Sequence, residues 1–123
     1  MNMKKRFTQG ILLCVLLFGG CDEIIEKDIS KTFMDIIVPS NNATISGPEI
    51  LFWWNYVDGA DYYELQLVKP NFQFVECILA DTILEKNKIT FAITPGAYEF
   101  RIRACNSAYC TEYSYRSFTL SIK

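Results

Sequence analysis

Short runs of alternating apolar and polar residues, separated by turn signals, dominate the sequence from residue 34 onward. The runs are 35–38, 49–55, 62–69, 72–79, 88–94, 97–104 and 115–122. Successive side chains of a strand point to opposite faces, so this alternation predicts strands that each bury one face. About seven short strands with turns every 8 to 12 residues or so are typical of an all-β sandwich or a small barrel.

The alternation also predicts which side chains face the core, because residues two apart on a strand share a face. The predicted inward set is Ile50, Phe52, Trp54, Tyr63, Leu65, Leu67, Ile89, Phe91, Ile93, Tyr98, Phe100, Ile102, Ala104, Phe118, Leu120 and Ile122.

A basic start, a short apolar stretch and small residues open the chain. Residues 4–6 are basic, residues 10–20 are largely apolar, and two glycines stand directly before Cys21. The apolar stretch has about half the length of a membrane-spanning helix, and the acidic residues that follow it oppose insertion. Residues 1–20 are therefore predicted to be a secretory signal peptide.

The five residues Leu17–Cys21 are similar to the lipobox of bacterial lipoproteins. Phe18 departs from that pattern, in which a smaller aliphatic residue is usual. The resemblance implies that Cys21 is acylated, for example with palmitate, and becomes the first residue of a membrane-anchored mature chain. Ordinary secretion with cleavage nearby and a short uncleaved anchor are the alternatives.

Residues 21–33 are predicted to be an acidic tether. Asp22, Glu23, Glu26 and Asp28 resemble the acidic export tag of many Gram-negative surface lipoproteins, which implies an outer-membrane location, on the surface of the cell in some of these proteins. Apart from Ile24 and Ile25, we expect residues 22–32 to be too polar to pack on the domain.

The composition excludes several classes of function. The chain contains 12 Lys and Arg against 14 Asp and Glu; three of the basic residues lie in the predicted leader, so the remainder is acidic and gives no support for nucleic-acid binding. It contains no histidine, which removes the commonest general base and zinc ligand. We expect neither enzymatic activity, nor a cofactor, nor a metal site.

Several motifs in the alternating region occur in a characteristic order. They are Trp54, Gly59-Ala60, Tyr63–Leu67, Ile93–Tyr98 and Arg101–Asn106. Over residues 34–123 this order resembles that of fibronectin type III domains, which have a core Trp on the second strand and a Pro-Gly turn before a buried Tyr. The resemblance implies an immunoglobulin-like β-sandwich of about seven strands, with the Tyr98 hydroxyl bonded to the backbone. The stretch Phe72–Asn87 is longer than the family's middle section, and we expect one strand and a loop there.

Three cysteines remain beyond the predicted lipid site. Cys105 and Cys110 flank a four-residue tip between the last two predicted strands, and at the mouth of a hairpin they would be close enough for a disulfide. Two free thiols are the alternative. Cys77 is then unpaired, and we expect it to be buried or half-buried as a small apolar residue.

Eight rings have outward parity or lie on predicted loops, namely Trp53, Tyr56, Tyr62, Phe72, Phe74, Tyr109, Tyr113 and Tyr115, and four of them are the candidate binding residues. They are Trp53, Tyr62, Tyr109 and Tyr113. Trp53 must face away from Trp54 in a regular strand, and a disulfide would hold Tyr109 at a rigid loop tip. For each ring, a packing role is the alternative.

Two functions therefore remain open. The first is a lipid-anchored, non-catalytic surface or envelope module that binds a glycan or a protein. The second is a structural spacer that docks to an envelope complex through a sheet edge or through exposed rings.

Overall fold

Residues 25–122, which the computed structural model describes, form a sandwich of two β-sheets. The strands are β1 (Ile36–Val38), β2 (Ala43–Ser46), β3 (Glu49–Trp54), β4 (Tyr62–Pro70), β5 (Val75–Leu84), β6 (Lys88–Ala92), β7 (Gly96–Cys105) and β8 (Ser114–Ser121). One sheet has the order β1-β3-β6, and the other has the order β2-β8-β7-β4-β5. Within this part of the chain no helix is long and apolar enough to cross a bilayer. The predicted signal peptide and Cys21 lie outside the described residues.

The core fills the space between the sheets and consists of the alternating residues. Phe52, Trp54, Leu65, Leu67, Phe100 and Ile102 are completely buried, while Ile89, Phe91 and Ile93 are half-buried and pack against them. Phe52 meets the ring of Phe100 at 4.5 Å between centroids. The predicted inward set is confirmed except for Ile122, which is 75% exposed because it lies beyond the end of β8.

The buried tyrosine that the family resemblance implied has a backbone partner. Tyr98 is 1% exposed, and its hydroxyl donates to the carbonyl oxygen of Thr94 at 2.5 Å. This bond fixes the turn between β6 and β7, because it joins the turn to the first core residue of β7.

The first strand of the sandwich is divided between the sheets, and the sequence reading missed its second half. β1 pairs with β3, whereas β2 pairs in parallel with β8. Pro39 separates the two halves; proline has no N–H to donate and interrupts a ladder. The four residues of β2 are too few to produce a periodic signal, which explains why eight strands occur where about seven were predicted.

The long middle section forms a hairpin of β4 with β5. β5 has ten residues, and its first four are all exposed. Cys77 is one of them and is a free, exposed thiol. The expectation that it would be buried or half-buried is therefore wrong. The sheet that carries β5 has five strands and faces a sheet of only three, which leaves the start of this edge strand uncovered.

The residues before β1 pack against one end of the sandwich. Ile29 is fully buried and belongs to the core, so the expectation that residues 22–32 would not pack is wrong at this position. Lys27 forms an ion pair with Asp58 at 2.6 Å, and its carbonyl oxygen accepts a hydrogen bond from Asn106 at 2.8 Å.

Candidate binding surface

The outer face of the five-stranded sheet carries a cluster of arginines and aromatic rings. Arg101 and Arg103 lie on β7 at positions that alternate with core residues, so both point away from the core. The guanidinium carbon of Arg101 lies 4.5 Å from the ring centroid of Phe72 and 4.4 Å from that of Tyr113. Arg103 lies 4.6 Å from the Tyr113 centroid. Contacts of this kind between cations and rings are favourable and hold long side chains in place.

Hydrogen bonds hold the side chain of Arg101 in place, and an ion pair holds that of Arg103. The Nε of Arg101 donates to Oε1 of Gln66 at 2.7 Å, and its Nη1 donates to the hydroxyl of Tyr115 at 3.2 Å. Arg103 forms an ion pair with Glu64 at 2.7 Å. Glu64 and Gln66 are the direct β4 partners of the two arginines, so the strand register itself creates these pairs.

Only one of the two arginines has its charge compensated by a carboxylate. Arg103 is paired with Glu64, whereas Arg101 forms no salt bridge with any residue in the range 25–122. Arg101 therefore presents a positive charge that is surrounded by rings and held in one conformation. We call the set Gln66, Phe72, Arg101, Arg103, Tyr113 and Tyr115 the arginine–aromatic surface.

A shallow apolar hollow borders the arginine–aromatic surface on the β5 side. It has a volume of about 150 Å³ and is lined by Gln66, Val68, Phe72, Val75, Ile78 and Arg101. Val68 is 2% exposed although it faces outward, whereas Ile78, its partner on β5, is 64% exposed. The hollow therefore offers exposed apolar side chains directly beside the Arg101 charge.

The four candidate rings from the sequence do not form one site. Tyr113 belongs to the arginine–aromatic surface, and Tyr62 precedes the core residue Tyr63 and lies on the same outer face. Trp53 is on the outer face of the other sheet, 37% exposed, with the ammonium of Lys88 at 5.5 Å from its ring centroid. Tyr109 lies at the tip of the β7–β8 loop and is also 37% exposed.

The β7–β8 loop is closed by a disulfide bond between Cys105 and Cys110. Inside it, Asn106 is 3% exposed, and its Oδ1 accepts hydrogen bonds from the backbone N–H groups of Ala108 and Tyr109. Its Nδ2 donates to the carbonyl oxygen of Gly59 at 3.0 Å. The loop that carries Tyr109 is therefore rigid and fixed to the neighbouring loop.

Sequence reasoning missed Phe72, Arg101 and Tyr115 as members of one surface. The available signal was the outward parity of the two β7 arginines together with rings of outward parity before and after them. The missing information was the strand register, because residues 72 and 113 come together only through the pairing of β4, β7 and β8.

No group of three or more Cys, Asp or Glu within residues 25–122 is arranged to hold a metal ion. The carboxylates whose pKa is lowered, Asp28 and Asp58, are exposed and bond mainly to Ser30 and Lys27 respectively.

No family model matches the sequence, and no curated protein sequence matches it either. Solved structures do resemble the fold. The chain superimposes on the crystal structure of FN3tt with a TM-score of 0.52 and 22% identity, covering 73% of this chain and 97% of that one. A fibronectin type III domain from human KIAA0970 gives a TM-score of 0.55 at 12% identity, covering 76% of each chain.

The fibronectin(III)-like modules of Clostridium thermocellum CbhA give a TM-score of 0.53 at 6% identity, covering 73% of this chain and 98% of theirs. Identities this low establish a shared fold and leave function open. The described part of the chain is a β-sandwich with the fibronectin type III fold.

Proposed function

We propose that this protein is a lipid-anchored, non-catalytic binding module of the bacterial cell envelope, and that the arginine–aromatic surface is its recognition site. The observation that carries the proposal is the position of Arg101 between the rings of Phe72 and Tyr113, at 4.5 and 4.4 Å. A long side chain that is immobilised before binding loses little conformational entropy when a ligand arrives.

The chemistry of the arginine–aromatic surface defines the ligand class. Arginine and tyrosine are the residue types that most often dominate binding energy at interfaces. Arg101 offers a charge without a carboxylate partner among the described residues, and the neighbouring hollow offers apolar contacts. A glycan or a protein segment that combines hydroxyl or carboxylate oxygens with an apolar face fits this pattern.

The sequence supports the membrane anchor. The basic start, the short apolar stretch and the two glycines before Cys21 favour a lipidated cysteine in the outer membrane, with two or more acyl chains for stable attachment. An anchored module needs only modest affinity for each ligand, because many copies on one membrane bind a multivalent ligand together.

Affinity electrophoresis of the full-length protein in detergent, through gels that contain envelope or host polysaccharides, tests the binding site. A glycan array extends the search to defined sugars. We expect Tyr113→Ala to weaken binding about tenfold or more, which corresponds to the loss of one ring that dominates the contact. A melting curve of each variant verifies that the fold is intact.

Trp53→Ala is the matched control, because Trp53 is also an exposed ring beside a cation, but on the opposite sheet. Binding that is lost with Trp53→Ala and kept with Tyr113→Ala would contradict the assignment of the site. Binding that is lost only with Tyr109→Ala would move the site to the loop tip.

A second candidate function is a spacer that docks to an envelope complex through the β5 edge. The specific observation is the ten-residue edge strand with Ile78 and Ile83 at 64% and 65% exposure. An exposed edge of this kind pairs with a strand of another protein. Ile83→Lys separates the two functions, since it should abolish co-purification of an envelope partner and leave polysaccharide binding unchanged.

A further inference from the structure

The segment that leads towards Cys21 is attached to one particular end of the sandwich. That end consists of segment 25–34 and the loops 55–61, 85–87 and 106–113, and we call it the proximal end. The side chain of Asn106 bonds to the carbonyl oxygens of Lys27 and Gly59 at 2.8 and 3.0 Å. With Ile29 fully buried, the chain enters the domain at a fixed point.

The length of chain before that fixed point limits where the domain can lie. The six peptide units from Lys27 back to Cys21 span at most about 20 Å. β7 alone, with ten residues, extends about 30 Å from the far end of the sandwich to the proximal end. If Cys21 holds the lipid, as the proposed function requires, the proximal end is the one kept beside the bilayer.

The proximal end also carries exposed apolar side chains on three of its four segments. Ile25 and Phe33 are each 81% exposed, Tyr56 is 65% exposed and Tyr109 is 37% exposed. Phe33 borders Glu112 of the β7–β8 loop in a surface hollow, so these side chains belong to one end. Tyrosine rings, which have a polar edge, favour the headgroup layer of a bilayer, and an exposed phenylalanine beside them gains free energy when it leaves water.

From these observations we infer that the proximal end is a membrane-contacting surface, with Phe33, Tyr56 and Tyr109 in the lipid headgroup layer. The inference rests on the lipid anchor of the proposed function. Contact of the proximal end with the membrane makes the Tyr109 loop inaccessible to soluble ligands. The arginine–aromatic surface then lies on the side of an upright domain, where a ligand can reach it.

The charge of the proximal end selects the kind of lipid. Acidic groups outnumber basic ones there: Glu26, Asp28, Asp58, Asp61, Glu85 and Glu112 stand against Lys27, Lys31 and Lys86. An acidic surface is repelled by anionic headgroups within about 10 Å at moderate ionic strength. Zwitterionic lipid is therefore the favoured contact, and the acyl chains supply most of the attachment.

Quenching of tryptophan fluorescence by brominated lipid tests the orientation. The lipidated full-length protein is reconstituted into phosphatidylcholine vesicles whose acyl chains are brominated near the headgroup, with Phe33→Trp and Phe74→Trp compared after subtraction of the native emission. The two positions are matched, since both are exposed phenylalanines, at 81% and 74%, on opposite ends of the sandwich. We expect quenching of the added emission to be at least about twofold stronger for Phe33→Trp, because the two ends lie about 30 Å apart.

Equal quenching, or stronger quenching of Phe74→Trp, would mean that the domain lies on its side against the exposed residues of β5, and would overturn the inference. Flotation of the same vesicles separates this failure from a failure of the anchor. A protein that floats with equal quenching refutes the orientation alone, and a protein that does not float refutes the anchor and the orientation together. A weaker Phe33→Trp signal in vesicles that also contain phosphatidylglycerol would support the role assigned to the acidic charge.

Discussion

At the scale of single residues, the side chain of Asn106 joins the β7–β8 loop to the segment before β1 and to the loop 55–61. Its side chain bonds to two carbonyl oxygens and two N–H groups while only 3% exposed. A buried backbone group that loses its partner costs about 1 to 3 kcal/mol. We expect Asn106→Ala to lower the free energy of unfolding by about that amount in urea titrations.

Asn71 provides the matched control for this prediction. Its Oδ1 also accepts from two N–H groups, those of Gln73 and Phe74, but in an exposed turn where water can replace it. Asn71→Ala should therefore cost less than about 1 kcal/mol. Equal losses for the two variants would show that burial of Asn106 adds nothing.

Tyr63 predicts a dependence of stability on alkaline pH. Burial raises the pKa of its hydroxyl above the usual 10.0, so the folded protein holds this proton more tightly than the unfolded chain. The contribution of Tyr63 is fully present below pH 10 or so and decreases as the pH rises towards the folded-state pKa. The same hydroxyl accepts from the N–H of Val57 at 2.9 Å.

We expect Tyr63→Phe to lower stability at neutral pH by about 1 to 3 kcal/mol, because the Val57 N–H loses its partner, and to flatten the loss of stability above about pH 10. Melting temperatures over that range measure both effects. Tyr98→Phe is the control for the effect at neutral pH. The Tyr98 hydroxyl donates to the carbonyl oxygen of Thr94, so its removal leaves no backbone N–H without a partner. If melting temperature falls with pH in Tyr63→Phe as steeply as in the wild type, the attribution of this fall to Tyr63 is contradicted.

At the scale of elements, the contact between the loop 55–61 and the segment before β1 depends on a glycine. Gly59 has φ +94°, and a Cβ atom there would lie 2.9 Å from Cδ of Lys27 and 3.0 Å from Cγ2 of Ile29. Gly59→Ala should therefore strain the backbone and, in addition, displace the segment before β1. Gly47 has φ +116° with nothing within 4 Å of its Cβ position, so Gly47→Ala carries the strain alone.

The difference between the two glycine variants measures the packing of the segment that precedes β1. Backbone strain at a positive φ costs about 1 to 2 kcal/mol, and we expect Gly59→Ala to cost at least about 1 kcal/mol more than Gly47→Ala. Urea titration gives both values. Equal costs would mean that the segment yields freely, and would weaken the fixed entry point on which the membrane orientation depends.

The same elements show which parts of the fold can be read from the sequence. β3, β4 and β7 were predictable, because each buries one face along its whole length and the alternation is long enough to be detected. β2 was not, because four residues that are alternately half-buried and exposed are too few for the alternation to be detected. Ile29 was hidden for a different reason: a single apolar residue among charges has no pattern, and its burial depends on loops that come later in the chain.

At the scale of the whole molecule, the candidate site could be predicted only in its parts. The outward parity of Tyr113 and of the β7 arginines follows from the alternation, whereas their contact with Phe72 depends on how three strands align. The arginine–aromatic surface therefore depends on the fold, and the proposed anchor depends on the sequence before the described residues. Each can be removed without the other, which makes the two halves of the proposed function separately testable.

The last prediction concerns the proposed lipid anchor at Cys21, and Cys14 provides the control. Cells given a palmitate analogue with a clickable group should label the wild-type protein, and Cys21→Ala should abolish the label because the acylated thiol is gone. Cys14 lies seven residues earlier, within the apolar stretch, so Cys14→Ala should keep the label and preserve export. Equal labelling of the two variants would place the lipid elsewhere. Loss of the label in Cys14→Ala alone would show that its cysteine is the acylated one, and the tether that positions the proximal end would then be longer by seven residues.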